Sequence, residues 1–172
     1  MKNIEKKGSI LSSKNQYTLQ ELRADFFIHS KGNTIDKINS FTKYSGRQNI
    51  AKLIAQIELF NKTKHILGDI VEAGVYHGSG LFAWANIAVS LEPYNYQCKI
   101  IGFDTFQGST GLSKKDISSK NILRKEGEYN ANNYKDIIKG IEIFDKDRPL
   151  NHIKKIEIVK GDVSTTVKNY IK

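Results

Sequence analysis

The chain has 172 residues, of which 39% are hydrophobic, and carries a formal net charge of +9. This length and composition are sufficient for one domain with a buried core and an appendage, and they exclude an intrinsically disordered chain. The single cysteine, Cys98, excludes an internal disulfide and a multi-cysteine zinc site. Because Cys98 precedes an apolar run, it is predicted to be a packing thiol.

The positive charge is not concentrated in one motif. Lysines are scattered along the chain without a nucleic-acid-binding signature, so we expect no nucleic-acid partner. The charge indicates either a solvated basic surface or an attraction for phosphate-bearing small substrates. No apolar signal segment follows the basic N-terminus, and the longest apolar stretch, residues 81–91, is too short to span a bilayer. We therefore expect a cytoplasmic protein with no membrane partner.

Two helices are predicted in the N-terminal third of the chain. The first covers residues 17–28 and has an apolar stripe formed by Leu19, Leu22 and Phe26. The second has apolar residues at helical spacing, which are Ile50, Leu53, Ile54, Ile57 and Phe60. These helices predict an N-terminal cap at residues 1–66, followed by a second domain at residues 67–172.

A strand, a helix and a second strand follow in that order. The segment "GDIVEAGV" predicts a buried parallel strand, residues 79–91 predict a helix against a sheet, and "CKIIGFDTF" predicts the next strand. Pro93 ends the helix, since proline cannot continue it. The order predicts a right-handed βαβ unit and hence an α/β, Rossmann-like fold with helices on both faces. The usual order of such a fold places the parallel strands as 3-2-1.

The remaining chain predicts a long excursion and one more strand and helix. Residues 107–135 are polar and without period, which is typical of a lid-like insertion. A helix is predicted at about 132–144, "KIEIVKGDV" predicts a third strand, and the last helix is predicted to begin with Ser164 or Thr165 as its N-cap.

An acidic residue stands at the end of each predicted strand, namely Glu72, Asp104 and Asp162. Ligands of open α/β sheets bind beyond the carboxyl ends of the strands, so these acids predict a binding site. The glycine turn after Glu72 lets a ligand approach the backbone, although "GSGLFA" also fits the fingerprint of an NAD enzyme. Turn or cap roles for Asp104 and Asp162, and a glycine turn without a ligand, remain open alternatives.

Several motifs together resemble the class I S-adenosylmethionine-dependent methyltransferases, and within them the macrocin O-methyltransferase-like family. The matching segments cover most of the chain: "RQNIAKLIAQIELF", "GDIVEAGVYHGSG", "EPYN" with "IIGFDTFQG", and "VKGDVSTTV". The resemblance implies transfer of a methyl group to a sugar hydroxyl of a nucleotide-linked or glycosidic small molecule. It also implies that this chain is the N-terminal, cofactor-binding portion.

The resemblance also implies roles for individual residues. Asp104 would accept hydrogen bonds from the two ribose hydroxyls, with Thr105 and Phe106 beside the ribose and base. Asp162 and the Val163 amide would read the adenine edge. The methionine end of the cofactor would be surrounded by Glu72, Gly74, Tyr76, His77, Gly78, Ser79 and Gly80.

The chemistry at the acceptor hydroxyl is not predicted from these motifs. Members of the family continue with an acidic cluster that binds a divalent metal, so Mg²⁺ ligands are expected beyond residue 172 and none within the chain. His77 is the one histidine near the predicted cofactor, and packing or solvation is favoured over a catalytic role. Because the first strand would form an apolar edge, we expect a homo-oligomer. The alternatives are a catalytically incompetent cofactor-binding fragment or interaction module and, more distantly, an NAD-dependent Rossmann enzyme.

Overall fold

The computed structural model describes residues 14–112 and 126–171, with the backbone alone at 14–17. Residues 113–125, the middle of the predicted lid, lie outside the described residues. The chain divides into two compact units, Met1–Leu53 and Ile54–Lys172.

The first unit is helical. Its elements are α1 (Lys14–His29), α2 (Thr34–Asn39), α3 (Phe41–Tyr44) and the beginning of α4 (Arg47–Thr63). A capping box starts α2, because the Asn33 side chain accepts from the Asp36 amide while the Asp36 carboxylate accepts from the Asn33 amide. The predicted helix at 17–28 is confirmed. Its stripe is not buried, however, since Leu19, Leu22 and Phe26 are between 48% and 60% exposed.

The second unit holds a three-stranded parallel sheet. Its elements are β1 (Ile70–Ala73), α5 (Ser79–Leu91), β2 (Ile100–Asp104), α6 (Tyr134–Lys146), β3 (Ile156–Lys160) and α7 (Val163–Tyr170). The strands are ordered β1-β2-β3, with Ala73 opposite Phe103 and Phe103 opposite Val159. This parallel order with interleaved helices confirms the Rossmann-like fold.

The two outer strands are less covered than the central one. All of β2 before Asp104 is buried, whereas Val71 in β1 is 56% exposed. The prediction of a fully buried first strand is therefore wrong. The reason is that, within the described residues, β1 pairs with β2 only and alternates between half-buried and exposed positions.

Helix α5 has the predicted bounds and supplies much of the core. Its buried hydrophobic side chains are Leu81, Ala85, Ile87 and Ala88, and the helix packs on β1 and β2. Because so many positions around the helix are apolar, it is covered by the sheet and by its neighbours together.

Helix α7 begins two residues earlier than predicted. The N-cap is Asp162, whose carboxylate accepts the Ser164 amide at 2.8 Å, so the predicted caps Ser164 and Thr165 are wrong. An aspartate satisfies a free amide of the first helical turn as well as a serine does. No helix among the described residues is long and apolar enough to cross a membrane.

Candidate functional site

A cleft of about 310 Å³ lies at the carboxyl ends of the three strands. Residues that end or follow β1, β2 and β3 meet there, as the carboxyl ends of parallel strands must. The cleft is lined by Ala73, Gly74, Phe103, Asp104, Thr105, Gly108, Thr110, Gly161, Asp162 and Val163. The sheet therefore brings two of the three predicted acids, Asp104 and Asp162, into one cavity.

Asp104 ties the turns after β1 and β2 together. Its Oδ2 accepts the amides of Val75 at 2.6 Å and Tyr76 at 2.9 Å, and its Oδ1 accepts the amide of Phe106 at 2.7 Å. A carboxylate offers about four acceptor positions, so three of them are occupied by backbone amides. One position is left for a ligand, which is fewer than two ribose hydroxyls would need.

Tyr76 is held in a conformation that few non-glycine residues adopt. Its φ is +51°, in the left-handed region, where the Cβ approaches the backbone carbonyl. The Tyr76 amide is bound by Asp104 and its carbonyl oxygen by Asn133 Nδ2 at 3.0 Å. The surrounding structure thus fixes both peptide groups of this residue, as expected where local strain persists.

Asn133 belongs to this turn although it is distant in sequence. It precedes α6 at the N-cap position, but it makes no side-chain cap there. It is 9% exposed, its Nδ2 also lies 3.3 Å from His77 Nδ1, and its buried Oδ1 has no partner among the described residues. The Tyr76 ring contacts the rings of His77 and Tyr129, with centroids at 4.2 and 6.1 Å.

Two glycines allow the turn to pack closely against its neighbours. Gly78 has a φ of +82°, and a Cβ there would lie 2.7 Å from Ile137 Cδ1 of α6. A Cβ at Gly80, in the first turn of α5, would overlap the carboxylate of Glu72. Glu72 is therefore directed at the start of α5, and it does not line the cleft with Asp104 and Asp162.

Asp162 combines a helix cap with a position in the cleft. Its Oδ1 accepts from the Ser164 amide at 2.8 Å and from the Ser164 hydroxyl at 2.6 Å. These hydrogen bonds, first that of the hydroxyl and then that of the amide, hold the pKa of Asp162 below its usual value. The carboxylate is consequently an anion at neutral pH.

Thr105 and Phe106 form the turn after β2. Thr105 Oγ1 donates to the Gly108 carbonyl at 3.2 Å and accepts from the Gln107 amide at 3.1 Å. Phe106 has a φ of +58° and is 5% exposed, with its ring 5.1 Å from that of Tyr134. The Phe106 side chain is thus packed below the turn, while Thr105 lines the cleft.

The base of the predicted lid is closed by two backbone hydrogen bonds of Ser109. The Ser109 amide donates to the Glu128 carbonyl at 2.7 Å, and the Gly127 amide donates to the Ser109 carbonyl at 2.8 Å. Gly108 and Thr110, at the same base, line the cleft. The two ends of the excursion are therefore fixed at the rim.

Of the residues predicted from sequence, the cleft gathers Gly74, Asp104, Thr105, Asp162 and Val163. The other predicted residues do not line it. Glu72 is directed at the start of α5, Phe106 is packed against Tyr134, and the rest form the turn before α5 and its first residues, namely Tyr76, His77, Gly78, Ser79 and Gly80. Sequence reasoning missed Ala73, Phe103, Gly108, Thr110 and Gly161 in the lining, and it missed Asn133. The first five adjoin predicted residues and could have been found from the strand ends, whereas nothing in the local sequence indicates Asn133.

Other titratable groups with shifted pKa values lie at the opposite end of the sheet. Burial lowers the pKa of Lys155, which donates to the Asn95 carbonyl at 2.8 Å, and burial raises the pKa of the half-buried Cys98 thiol. Both residues precede a strand. In the described part of the chain no group of three or more His, Cys, Asp or Glu side chains could hold a metal ion.

Comparison with solved structures gives matches that include two structures of CalS11. One is CalS11 as a calicheamicin methyltransferase, with a TM-score of 0.82 and 22% identity over 93% of this chain and 63% of that one. The other is the apo structure of CalS11, a TDP-rhamnose 3'-O-methyltransferase of calicheamicin biosynthesis, with a TM-score of 0.74 and 23% identity over 93% and 62%. This chain thus spans less than two thirds of the length of CalS11.

Neither a scan of protein-family models nor a search of curated proteins found a match. At 22–23% identity, the structural matches establish the fold. The chain has a Rossmann-like fold similar to that of CalS11, with its cleft at the carboxyl ends of the strands.

Proposed function

We propose that this chain binds S-adenosylmethionine in the cleft and serves an O-methyltransferase that acts on a sugar hydroxyl of a nucleotide-linked or glycosidic small molecule. The observation that carries the proposal is the convergence of Gly74, Asp104 and Asp162 in one cavity at the strand ends. The likeness to CalS11, which is a TDP-rhamnose 3'-O-methyltransferase, supports the sugar as acceptor class.

The cleft has the chemistry that a nucleoside needs. Asp104 retains one acceptor position, which suits one ribose hydroxyl, since three positions hold backbone amides. Asp162 is fixed through Oδ1. Its second oxygen can accept a hydrogen bond from the exocyclic amino group of adenine, beside the Val163 amide. Gly74 has a φ of +87° and open space at its Cβ position, so a ligand can approach its backbone.

The glycine turn would hold the methionine end of the cofactor. It runs from Tyr76 to Gly80, and Glu72 lies against the start of α5 beside it. When bound, the cofactor supplies an electrophilic methyl group on a sulfonium. The chain's contribution is to orient that methyl group. The proton of the acceptor hydroxyl has to go to a base, and we assign that base to residues outside the described ones. Any ligands of a Mg²⁺ ion that would lower the pKa of the hydroxyl are assigned there too, because no group of three or more His, Cys, Asp or Glu among the described residues could hold a metal.

The proposal is tested by titrating the chain with S-adenosylhomocysteine in a calorimeter. Asp104→Asn keeps one side-chain oxygen for the turn but loses the charge, so we expect affinity to fall about tenfold or more. Asp104→Ala is less informative, because it leaves the amides of Val75 and Tyr76 without their acceptor.

The matched control is Asp147→Asn, which removes one charge at the exposed C-terminal end of α6 and should leave affinity unchanged. NAD is titrated in parallel and should not bind. Equal affinities of wild type and Asp104→Asn, or a preference for NAD, would contradict the proposed cofactor. A TDP-linked sugar, titrated with S-adenosylhomocysteine present, then tests the acceptor class.

A further inference from the structure

The geometry points to Asn133 as a positioning residue that keeps the neutral His77 ring protonated on Nε2, so that His77 offers a hydrogen-bond donor and does not serve as the base. The functional part of this inference rests on the proposed function, since it concerns the ligand of the adjoining cleft. Its structural part depends on three atoms alone.

The first step fixes the orientation of the Asn133 amide. The Tyr76 carbonyl oxygen lies 3.0 Å from the Asn133 side chain, and a carbonyl oxygen can only accept. The Asn133 atom that faces it must therefore be the nitrogen, Nδ2. The reversed orientation would place two oxygens in contact and leave both without a hydrogen.

The second step fixes the His77 tautomer. The same Nδ2 lies 3.3 Å from His77 Nδ1, and an amide nitrogen donates but does not accept. Nδ1 must therefore provide the lone pair, which places the proton of the neutral ring on Nε2. A histidine that acts as a base through Nε2 needs the opposite arrangement, with an acceptor opposite Nδ1–H.

The third step concerns the helix cap that the Asn133 side chain does not form. An asparagine at an N-cap usually accepts from an amide of the first helical turn, yet Asn133 makes no such bond to α6. Its Oδ1 is buried without a partner among the described residues. Holding the Tyr76 carbonyl and the His77 ring thus replaces the ordinary cap, which distinguishes this side chain from one that only stabilises α6.

The consequence for His77 is a donor role. The ring is exposed and rests against the Tyr76 ring, with its Nδ1 engaged by Asn133. Its remaining polar atom, Nε2–H, can bind a ligand oxygen, as in a carboxylate or a hydroxyl group. His77 therefore contributes to binding at the glycine turn, and the acceptor proton is removed elsewhere.

The tautomer is tested by long-range ¹H–¹⁵N NMR of the four histidines at alkaline pH, without ligand. We expect His77 to show a bare Nδ1 and a protonated Nε2. Asn133→Asp replaces the amide group by an oxygen that only accepts, so it should shift the proton to Nδ1. Asn133→Ala should bring His77 to the tautomer ratio of the exposed His152.

The matched control is Asn130→Asp, which adds the same charge three residues away and keeps an acceptor for the Asn132 amide. It should leave the His77 signals unchanged. A wild-type ring with its proton on Nδ1, or an Asn133→Asp ring like that of wild type, would overturn the inference. The wild-type spectrum decides the first point even where a variant fails to fold.

The donor role is tested with S-adenosylhomocysteine as the probe. Glutamine can replace Nε2–H by an amide N–H, so His77→Gln should bind about tenfold more tightly than His77→Ala. Equal losses in the two variants would overturn the donor role. A wild-type chain that binds no S-adenosylhomocysteine would overturn the proposed function, while the NMR result would still decide the tautomer.

Discussion

Asp104 and Asp162 each line the cleft and also stabilise the backbone around it. Asp104 holds the amides of Val75, Tyr76 and Phe106, and Asp162 caps α7 through Ser164. A substitution at either position therefore changes the shape of the cleft as well as its charge. Asparagine, which keeps an acceptor oxygen, separates these two effects better than alanine does.

The cap of α7 should make stability depend on pH. Hydrogen bonds from the Ser164 hydroxyl and amide lower the pKa of Asp162 in the folded chain. The folded state thus binds this proton more weakly than the unfolded state does. The cap contributes its full stability above the unfolded pKa, and this contribution is lost as the pH falls through the folded pKa.

We therefore expect Asp162→Asn to keep the cap but to lose less stability than wild type on acidification from neutral pH to about pH 3. Urea unfolding at a series of pH values measures the difference. Asp147→Asn serves as the control for a change in net charge. Parallel stability curves for wild type and Asp162→Asn would show that the cap is not linked to the protonation of Asp162.

At the level of elements, β1 is the least covered part of the sheet. Within the described residues it pairs with β2 alone, and Val71 is 56% exposed. An open edge presents unpaired backbone groups to other chains, and an apolar side chain beside it adds to the attraction. This strand is where we expect self-association.

The chain should accordingly associate as its concentration rises, and Val71→Lys should weaken that association, because a charge at an edge strand opposes pairing with a second copy. Sedimentation velocity over a concentration series measures both effects. Ile143→Lys, which adds the same charge on α6 at a position that is 60% exposed, is the control. If Ile143→Lys weakened the association as much as Val71→Lys does, β1 would be excluded as the contact.

The elements themselves were largely predictable, because their signals are local. The bounds of α5 follow from Ser79 after the glycine turn and from Pro93 beyond its end, and the strand order is the usual one of a Rossmann-like fold. The contacts of Asp104 with Val75 and of Asn133 with Tyr76 join residues 29 and 57 positions apart. No periodicity or motif encodes such pairs, so the contacts that Asp104 and Asn133 make with the turn emerged only from the structure.

The whole molecule combines a net charge of +9 with a cleft that contains two carboxylates. The positive charge is therefore carried outside the cleft, where we expect it to attract phosphate-bearing molecules at long range. Under the proposed function, the carboxylates would act at short range, on the hydroxyl and amino groups of a nucleoside. We expect the two effects to be separable, since salt screens the first more strongly than the second.

The double attachment of Tyr76 also sets an order of assembly. The hydrogen bond from its amide to Asp104 spans 28 residues, and the hydrogen bond from Asn133 to its carbonyl oxygen spans 57. The turn is therefore complete only after β2 and α6 have come together. An exposed turn also opens locally at a lower free energy than a buried core strand. In native-state hydrogen exchange, the Tyr76 amide should therefore exchange through a smaller opening than the Ile101 amide in buried β2, and S-adenosylhomocysteine should slow Tyr76 selectively. Equal protection of the two amides without ligand would mean that turn and sheet form one cooperative unit.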